Sequence, residues 1–145
     1  MQLEFEISYE CTHHGPSLDV PTMFVELGSS PTQWGNIKAA EAVARASMEA
    51  ISNFKSHSSF AVLGIGGPHY NKRFTQMALN GEATFGHMIP KYSLNLVTAK
   101  VLKHCVDRTL EKTASALLDW KGIRGDEKPK VIDALAAINL PYEKV

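Results

Sequence analysis

The stretch Phe60-Ala61-Val62-Leu63-Gly64-Ile65, closed by Gly66-Gly67-Pro68, decides the fold. It holds no polar side chain until two glycines and a proline stop it. A strand wetted on one face alternates apolar with polar residues. An unbroken apolar run of this length reads as a strand buried on both faces, as in a parallel sheet covered by helices. Upstream, Thr22-Met23-Phe24-Val25-Glu26-Leu27 is nearly as apolar, apart from Glu26, and we expect a second central strand there. Leu3, Phe5, Ile7 and Tyr9 alternate with Glu4, Glu6 and Ser8, the period of a half-buried strand. Between these, Gly28–Thr32 is a turn into a helix over 33–53, with Thr32 as its N-cap and Ile37, Ala40, Val43, Ala44, Met48 and Ile51 at helical spacing.

Downstream the alternation continues. Phe74–Leu79 reads as a short helix ending at Asn80-Gly81, and Ala83–Ile89 stays open between helix and strand. Ser93 is placed to cap a helix over 94–108, with Leu94, Val97, Val101, Leu102 and Cys105 on one face. Residues 114–120 read as a strand, and Pro129 suits the first turn of a final helix over 128–139. Strands alternating with helices predict an α/β layered fold with a largely parallel sheet. No repeat or linker divides the chain, so residues 1–145 read as one α/β domain.

Composition sets the outer bounds. The apolar fraction of 44% and charged fraction of 21% are ordinary for a globular protein. No apolar run approaches the ~20 residues that span a bilayer, and Met1-Gln2-Leu3-Glu4 lacks the basic start of a signal peptide. We therefore expect a cytoplasmic protein without membrane association. Cys11 and Cys105 are the only cysteines, which argues against a disulfide framework. Cys105 reads as a small buried hydrophobe. Cys11 has the same reading, with a metal-ligand or nucleophile role left open by its histidine neighbours.

Net charge is zero but uneven: residues 1–70 carry −4 and residues 71–145 carry +4. A neutral total makes no global argument for nucleic acid, and no DNA partner is expected. Lys72, Arg73, Lys91, Lys100, Lys103 and Arg108 supply either a local basic face or ordinary solvated helix faces.

Four of the six histidines fall at or near strand ends beside glycines: His13 and His14 before Gly15, His69 after Gly66-Gly67, and His87 after Gly86. Parallel sheets form ligand sites at the carboxyl ends of their strands, and glycines let backbone approach a ligand closely. Neutral imidazole is the commonest zinc ligand, and catalytic zinc takes three protein ligands plus water. His13, His14, His69 and His87 are thus candidate ligands or acid–base groups. A lone histidine at a turn is equally well a satisfied structural residue. Glu26, polar within an apolar run, is a candidate base or a structural ion-pair partner, and Glu10 has the same two readings. Gly64-Ile65-Gly66-Gly67 lacks the spacing of a dinucleotide loop, and no P-loop or serine elbow occurs.

Five motifs in order carry a resemblance. They are Glu10-Cys11-Thr12-His13-His14-Gly15-Pro16; Phe24-Val25-Glu26-Leu27-Gly28-Ser29 with Trp34; Gly64-Ile65-Gly66-Gly67-Pro68-His69-Tyr70 with Arg73-Phe74-Thr75; Gly86-His87-Met88-Ile89-Pro90-Lys91-Tyr92; and Leu118-Asp119-Trp120-Lys121-Gly122. Together they resemble the archaeal and plant type of D-aminoacyl-tRNA deacylase over nearly the whole chain. The resemblance implies hydrolysis of the ester between a D-amino acid and the terminal ribose of tRNA, a tRNA partner, an association with zinc, and a fold similar to the phosphorylase and peptidyl-tRNA hydrolase type, three layers with a mixed, largely parallel sheet between helices. On that basis His13, His14, Glu26, His69 and His87 are the expected catalytic residues, with zinc held by two or three of His13, His14, His69 and His87. Gly66 and Gly67 are expected to stabilise an oxyanion, and Lys72, Arg73 and Lys91 to bind tRNA phosphates.

Two departures accompany the match. Family members are commonly about twice as long, with a region preceding the Cys-Thr-His-His motif, so this chain is expected to be the catalytic, C-terminal part of that architecture or a reduced relative. Pro68 stands where the family usually has a third glycine. The rival readings are a non-catalytic RNA- or nucleotide-binding module of the same fold, and a small-molecule hydrolase or phosphorylase.

Overall fold

A computed structural model of the chain describes residues 5–15, 18–20, 22–54 and 59–145. In chain order its elements are α1 (Pro31–Trp34), α2 (Ile37–Ser52), β1 (Ala61–Ile65), α3 (Lys72–Leu79), β2 (Phe85–Ile89), α4 (Ala99–Asp107), β3 (Thr113–Leu118), α5 (Lys128–Ala137) and β4 (Tyr142–Lys144), with 3₁₀ turns at Lys91–Leu96 and Trp120–Gly122. They fall into two compact units, a smaller one within Met1–Glu6 and Pro16–His57, and a larger one within Ile7–Gly15 and Ser58–Val145.

The larger unit is built on the apolar run. β1 lies inside a sheet of order β2-β1-β3-β4, with Leu63 opposite His87 on one side and Ala116 on the other. Every pairing between the named strands is parallel. The antiparallel component expected of a mixed sheet is, among the described residues, a single isolated bridge between Glu10 and Tyr70.

The period of two sorts side chains to the two faces. Leu63, Ile65, Ile89, Ala116 and Leu118 pack with Leu94, Val97, Leu102, Val131, Ala134 and Leu135 from the segment through α4 and from α5. On the other face Met88 and Leu117 meet Phe74 of α3 and Cys11. Helices cover both faces, which is why β1 needs no polar side chain. Full burial of one such leucine or valine stabilises the fold by about 1.5–3 kcal/mol. Gly64 is required on the second face, since a Cβ there would stand 2.9 Å from the Phe74 ring.

Several expected boundaries move, each for a local reason. Ala83–Ile89 resolves as β2 because Phe85–Ile89 finds a parallel partner in β1. The helix expected over 94–108 is divided. Val97 is extended and 1% exposed, and Thr98 rather than Ser93 caps α4, its hydroxyl accepting from Val101 N at 3.3 Å. β4 was not expected: a three-residue strand, Tyr-Glu-Lys, is too short to show a period.

In the smaller unit the helix expected over 33–53 breaks at Gly35-Asn36. Thr32 lies within α1 rather than capping a helix, and Asn36 caps α2 by accepting from Ala39 N at 3.1 Å. The expected strand at 22–27 has no strand assignment, and Met23, Phe24 and Val25 are exposed. In the expected first strand, residues 3 and 4 lie outside the described residues and 5–9 are not strand. An extended segment becomes a strand when a neighbour takes its N–H and C=O groups. Tyr9 N instead donates to the Thr75 hydroxyl at 3.0 Å. Among the described residues no helix is long and apolar enough to cross a membrane.

Candidate functional site

Because the strands of the larger unit run parallel, their carboxyl ends lie on one side, and three loops meet there. Gly66 N donates to Ile89 O at 2.8 Å, Lys91 N to Gly67 O at 2.8 Å, and Asp119 N to Ile65 O at 2.9 Å. Asn71, 4% exposed, ties the group. It caps α3 through Phe74 N at 3.0 Å, and its amide donates to Gly66 O and to Asp119 Oδ2, both at 3.2 Å.

The segment Glu10–His13 is laid along this end. Cys11 N donates to His69 O at 3.0 Å and Thr12 N to Met88 O at 2.9 Å. The Thr12 hydroxyl takes the return position, accepting from Met88 N at 3.2 Å. The motif thus occupies the outer edge of β2, an edge that would otherwise present unpaired backbone groups. The docking brings its side chains onto the loop that follows β1.

A cluster results. Cys11 Sγ lies 3.1 Å from His69 Nδ1 and 3.3 Å from the Tyr92 hydroxyl, which itself lies 2.8 Å from the same His69 nitrogen. His69 Nε2 is 3.2 Å from Glu10 Oε2, and His13 Nε2 is 3.5 Å from that same oxygen. His13 Nδ1 donates to the Cys11 carbonyl at 2.6 Å. The His13 ring centroid lies 4.4 Å from that of His69 and 4.0 Å from that of His14, and the Tyr70 ring is 5.0 Å from His69.

Two of these groups keep their protons at neutral pH. Burial pushes the Cys11 thiol up, against a smaller opposing effect of the Tyr92 bond. The bond to Cys11 pushes Tyr92 up to about 12. The thiol sulfur of Cys11 and one nitrogen each of His13 and His69 lie within 4.8 Å of one another, close enough for three donors of one metal ion.

His87 stands apart from this group. Thr12, already accepting from Met88 N, gives its hydroxyl proton to His87 Nδ1 at 3.1 Å, and a bond to the Arg108 backbone holds the ring's other side. Burial, then the charge of His104, pushes His87 below its ordinary value. The ring is thus neutral and engaged on both sides, the geometry of a residue that fixes the motif segment to β2. Among the histidines expected as ligands, the structure brings His13 and His69 together with Cys11. His14 is exposed beside His13.

The glycines have a packing role. Gly66 and Gly67 have φ of 103° and 74°, and the space of a side chain is filled by Ile123 and Asp119 at Gly66 and by Asn71 and Asp119 at Gly67. The Gly66 N–H is taken by Ile89 O, which removes it as an oxyanion donor. Lys72, Arg73 and Lys91 are exposed, the first two opening α3 and the third opening the turn after β2. Glu26 lies exposed in an extended stretch of the smaller unit. Sequence reading missed Tyr92 and gave Cys11 a mainly structural role. The available signal was that Cys11 and Tyr92 each stand inside a histidine-bearing motif.

A thiol, two imidazoles and a carboxylate thus gather at the carboxyl ends of the parallel sheet of an α/β protein. The family model described as D-aminoacyl-tRNA deacylase matches residues 1–143. The chain belongs to the D-aminoacyl-tRNA deacylase family. It is 42% identical over 145 residues to the D-aminoacyl-tRNA deacylase of Pyrococcus horikoshii, covering 98% of this chain and 53% of that one. For the Pyrococcus abyssi deacylase the identity is 39% over 143 residues, covering 98% and 52%. For that of Methanocaldococcus jannaschii it is 37% over 146 residues, covering 98% and 56%. The crystal structure of a conserved protein of unknown function, AF0625, superposes with a TM-score of 0.79 at 34% identity, covering 97% of this chain and 49% of that one. The chain therefore spans about half the length of the curated relatives it matches.

Proposed function

We propose that this chain carries the centre that hydrolyses the ester of D-aminoacyl-tRNA, releasing free D-amino acid and tRNA, in the cytoplasm where aminoacyl-tRNA is used. The observation that supports it is the Cys11–His69–Tyr92 contact with Glu10 and His13 beside it, assembled from three of the motifs that mark the family. His13 and His69 are the acid–base groups: one imidazole takes the proton of the attacking water, and a protonated ring returns one to the departing ribose oxygen. The Tyr92 hydroxyl, protonated at neutral pH, donates toward the ester oxygen as charge develops there. Lys72, Arg73 and Lys91 bind tRNA phosphates, His14 and Glu26 serve the substrate side, and the Gly67 N–H donates to the developing oxyanion.

Zinc fits the donor set. One sulfur and two ring nitrogens within 4.8 Å of one another are the ligand types zinc prefers. In a zinc-bound form Cys11, with its thiol deprotonated, His13 and His69 would hold the ion in place of their own acid–base role, with Cys11 joining two of the histidines expected from the motifs. When bound, zinc supplies a water acidified to near neutral pH and polarises the ester carbonyl.

The test is incubation of the purified chain with D-tyrosyl-tRNA and L-tyrosyl-tRNA, before and after exhaustive chelation. The D-ester is expected to be lost and the L-ester kept, and His69→Ala is expected to slow the reaction by about 10²–10⁴-fold. Zinc is supported if chelation abolishes turnover and added metal restores it. Unchanged deacylation in alanine variants of His13, His14, His69 and His87 alike would remove the cluster from the reaction.

A further inference from the structure

We propose that Glu10 is the positioning residue of this centre. Its carboxylate oxygen holds the His69 ring by Nε2 and so decides that Nδ1 is the nitrogen this ring turns toward Cys11 and Tyr92. The proposal rests on the deacylase reading above and adds a residue that reading does not use.

The argument is one of donors and acceptors. A carbonyl oxygen only accepts, so His13 Nδ1, 2.6 Å from Cys11 O, carries a hydrogen. The nitrogen left over on His13 is Nε2. A carboxylate also only accepts, so His69 Nε2, 3.2 Å from Glu10 Oε2, carries its hydrogen there. The nitrogen left over on His69 is Nδ1, which lies 2.8 Å from the Tyr92 hydroxyl and 3.1 Å from the Cys11 thiol. The two neighbouring imidazoles are therefore anchored through opposite nitrogens. His13 is fixed by backbone and His69 by Glu10.

The backbone fixes Glu10 as well. The bridge Glu10–Tyr70 and the bond from Cys11 N to His69 O form one short antiparallel ladder, which sets Glu10 opposite Tyr70, the chain neighbour of His69. Ladder bonds set the distance before any side chain closes it, so little rotamer freedom remains to be lost. A surface ion pair between two mobile chains lacks this and contributes little. The carboxylate also stands 3.5 Å from His13 Nε2, so one oxygen lies against both rings. Partners that orient catalytic or ligating histidines in this way are commonly worth 10–100-fold in activity.

The experiment compares the full chain with Glu10→Ala, Glu10→Gln and Glu10→Asp, by ¹⁵N NMR of the histidine rings and by steady-state deacylation. Wild type is expected to show His69 protonated on Nε2. Glu10→Ala should show mixed tautomers and a kcat lowered by about 10–100-fold with KM within about twofold. Glu10→Gln, whose amide oxygen still accepts, should keep the Nε2–H tautomer and recover part of kcat. Glu10→Asp, one methylene short, should resemble alanine, and it decides the matter if the alanine variant does not fold. An unaltered His69 tautomer in the alanine and aspartate variants overturns the proposal, as does a loss confined to KM. If wild type releases no D-amino acid, the deacylase reading fails, while the ring spectra still decide the role of Glu10.

Discussion

The two units of the chain carry the same kind of sequence and treat it in opposite ways. In the larger, Leu63, Ile65, Leu102, Leu118, Val131 and Leu135 each expose 2% or less. In the smaller, α2 is capped and regular, yet Ile37, Met48 and Ile51 expose 77%, 63% and 68%, and Ala39 is its only buried residue. An apolar pattern states which face of an element requires cover. Another element has to supply it, and in the larger unit the sheet and helices supply it to each other.

The contrast is broken most severely from the core side. Leu118→Ala is expected to lower stability by about 2–5 kcal/mol in urea titration, against about 0.5 kcal/mol or less for Ile51→Ala. A cost for Ile51→Ala comparable to that for Leu118→Ala would show that α2 is covered in solution. Asn71→Ala comes next, at about 1–2 kcal/mol, because it removes a helix cap and leaves Gly66 O and Asp119 without their shared donor.

The caps sharpen the comparison further. Thr98→Ala and Asn36→Ala each remove a side-chain acceptor at a helix start, worth about 1 kcal/mol. The first should shift the main unfolding transition. The second should reduce helical circular dichroism and leave that transition in place.

The smallest effect is a pH slope. His87 titrates below its ordinary value of 6.5, so the native state holds fewer protons there than the unfolded chain. Its contribution to stability is present above pH 6.5 and is lost as pH falls toward the depressed value. His87→Gln should flatten the fall in unfolding midpoint on that acid side, and an unchanged slope would refute the assignment.

What was legible in the sequence follows the same division. The run 60–65 announced a parallel sheet because burial on both faces leaves a mark in every residue. The helices that cover it showed through Leu102, Val131 and Leu135, all buried as their spacing required. Segments 5–9 and 22–27 carried strand patterns as clear as β1 and are not strands, since pairing depends on a neighbour that pattern does not encode. The site divided likewise. Glycine-flanked histidines marked where chemistry could sit, and His13 and His69 did come together. That Cys11 and Tyr92 join them while His87 is engaged elsewhere depends on which face of β2 the motif segment lies against. Spacing along the chain does not carry that information.

The docking of Glu10–Thr12 on β2 also has a consequence in time. Its contacts join residues 58, 75 and 81 positions apart, from Cys11 to His69, Thr12 to His87 and Cys11 to Tyr92. Closing such long loops is entropically costly until the surface that rewards closure exists. Here that surface is an edge of the finished β1–β2 pair, so the centre is assembled last. On dilution from denaturant, the circular dichroism of the sheet should recover first, and the Tyr92–His69 contact and any turnover should lag behind it.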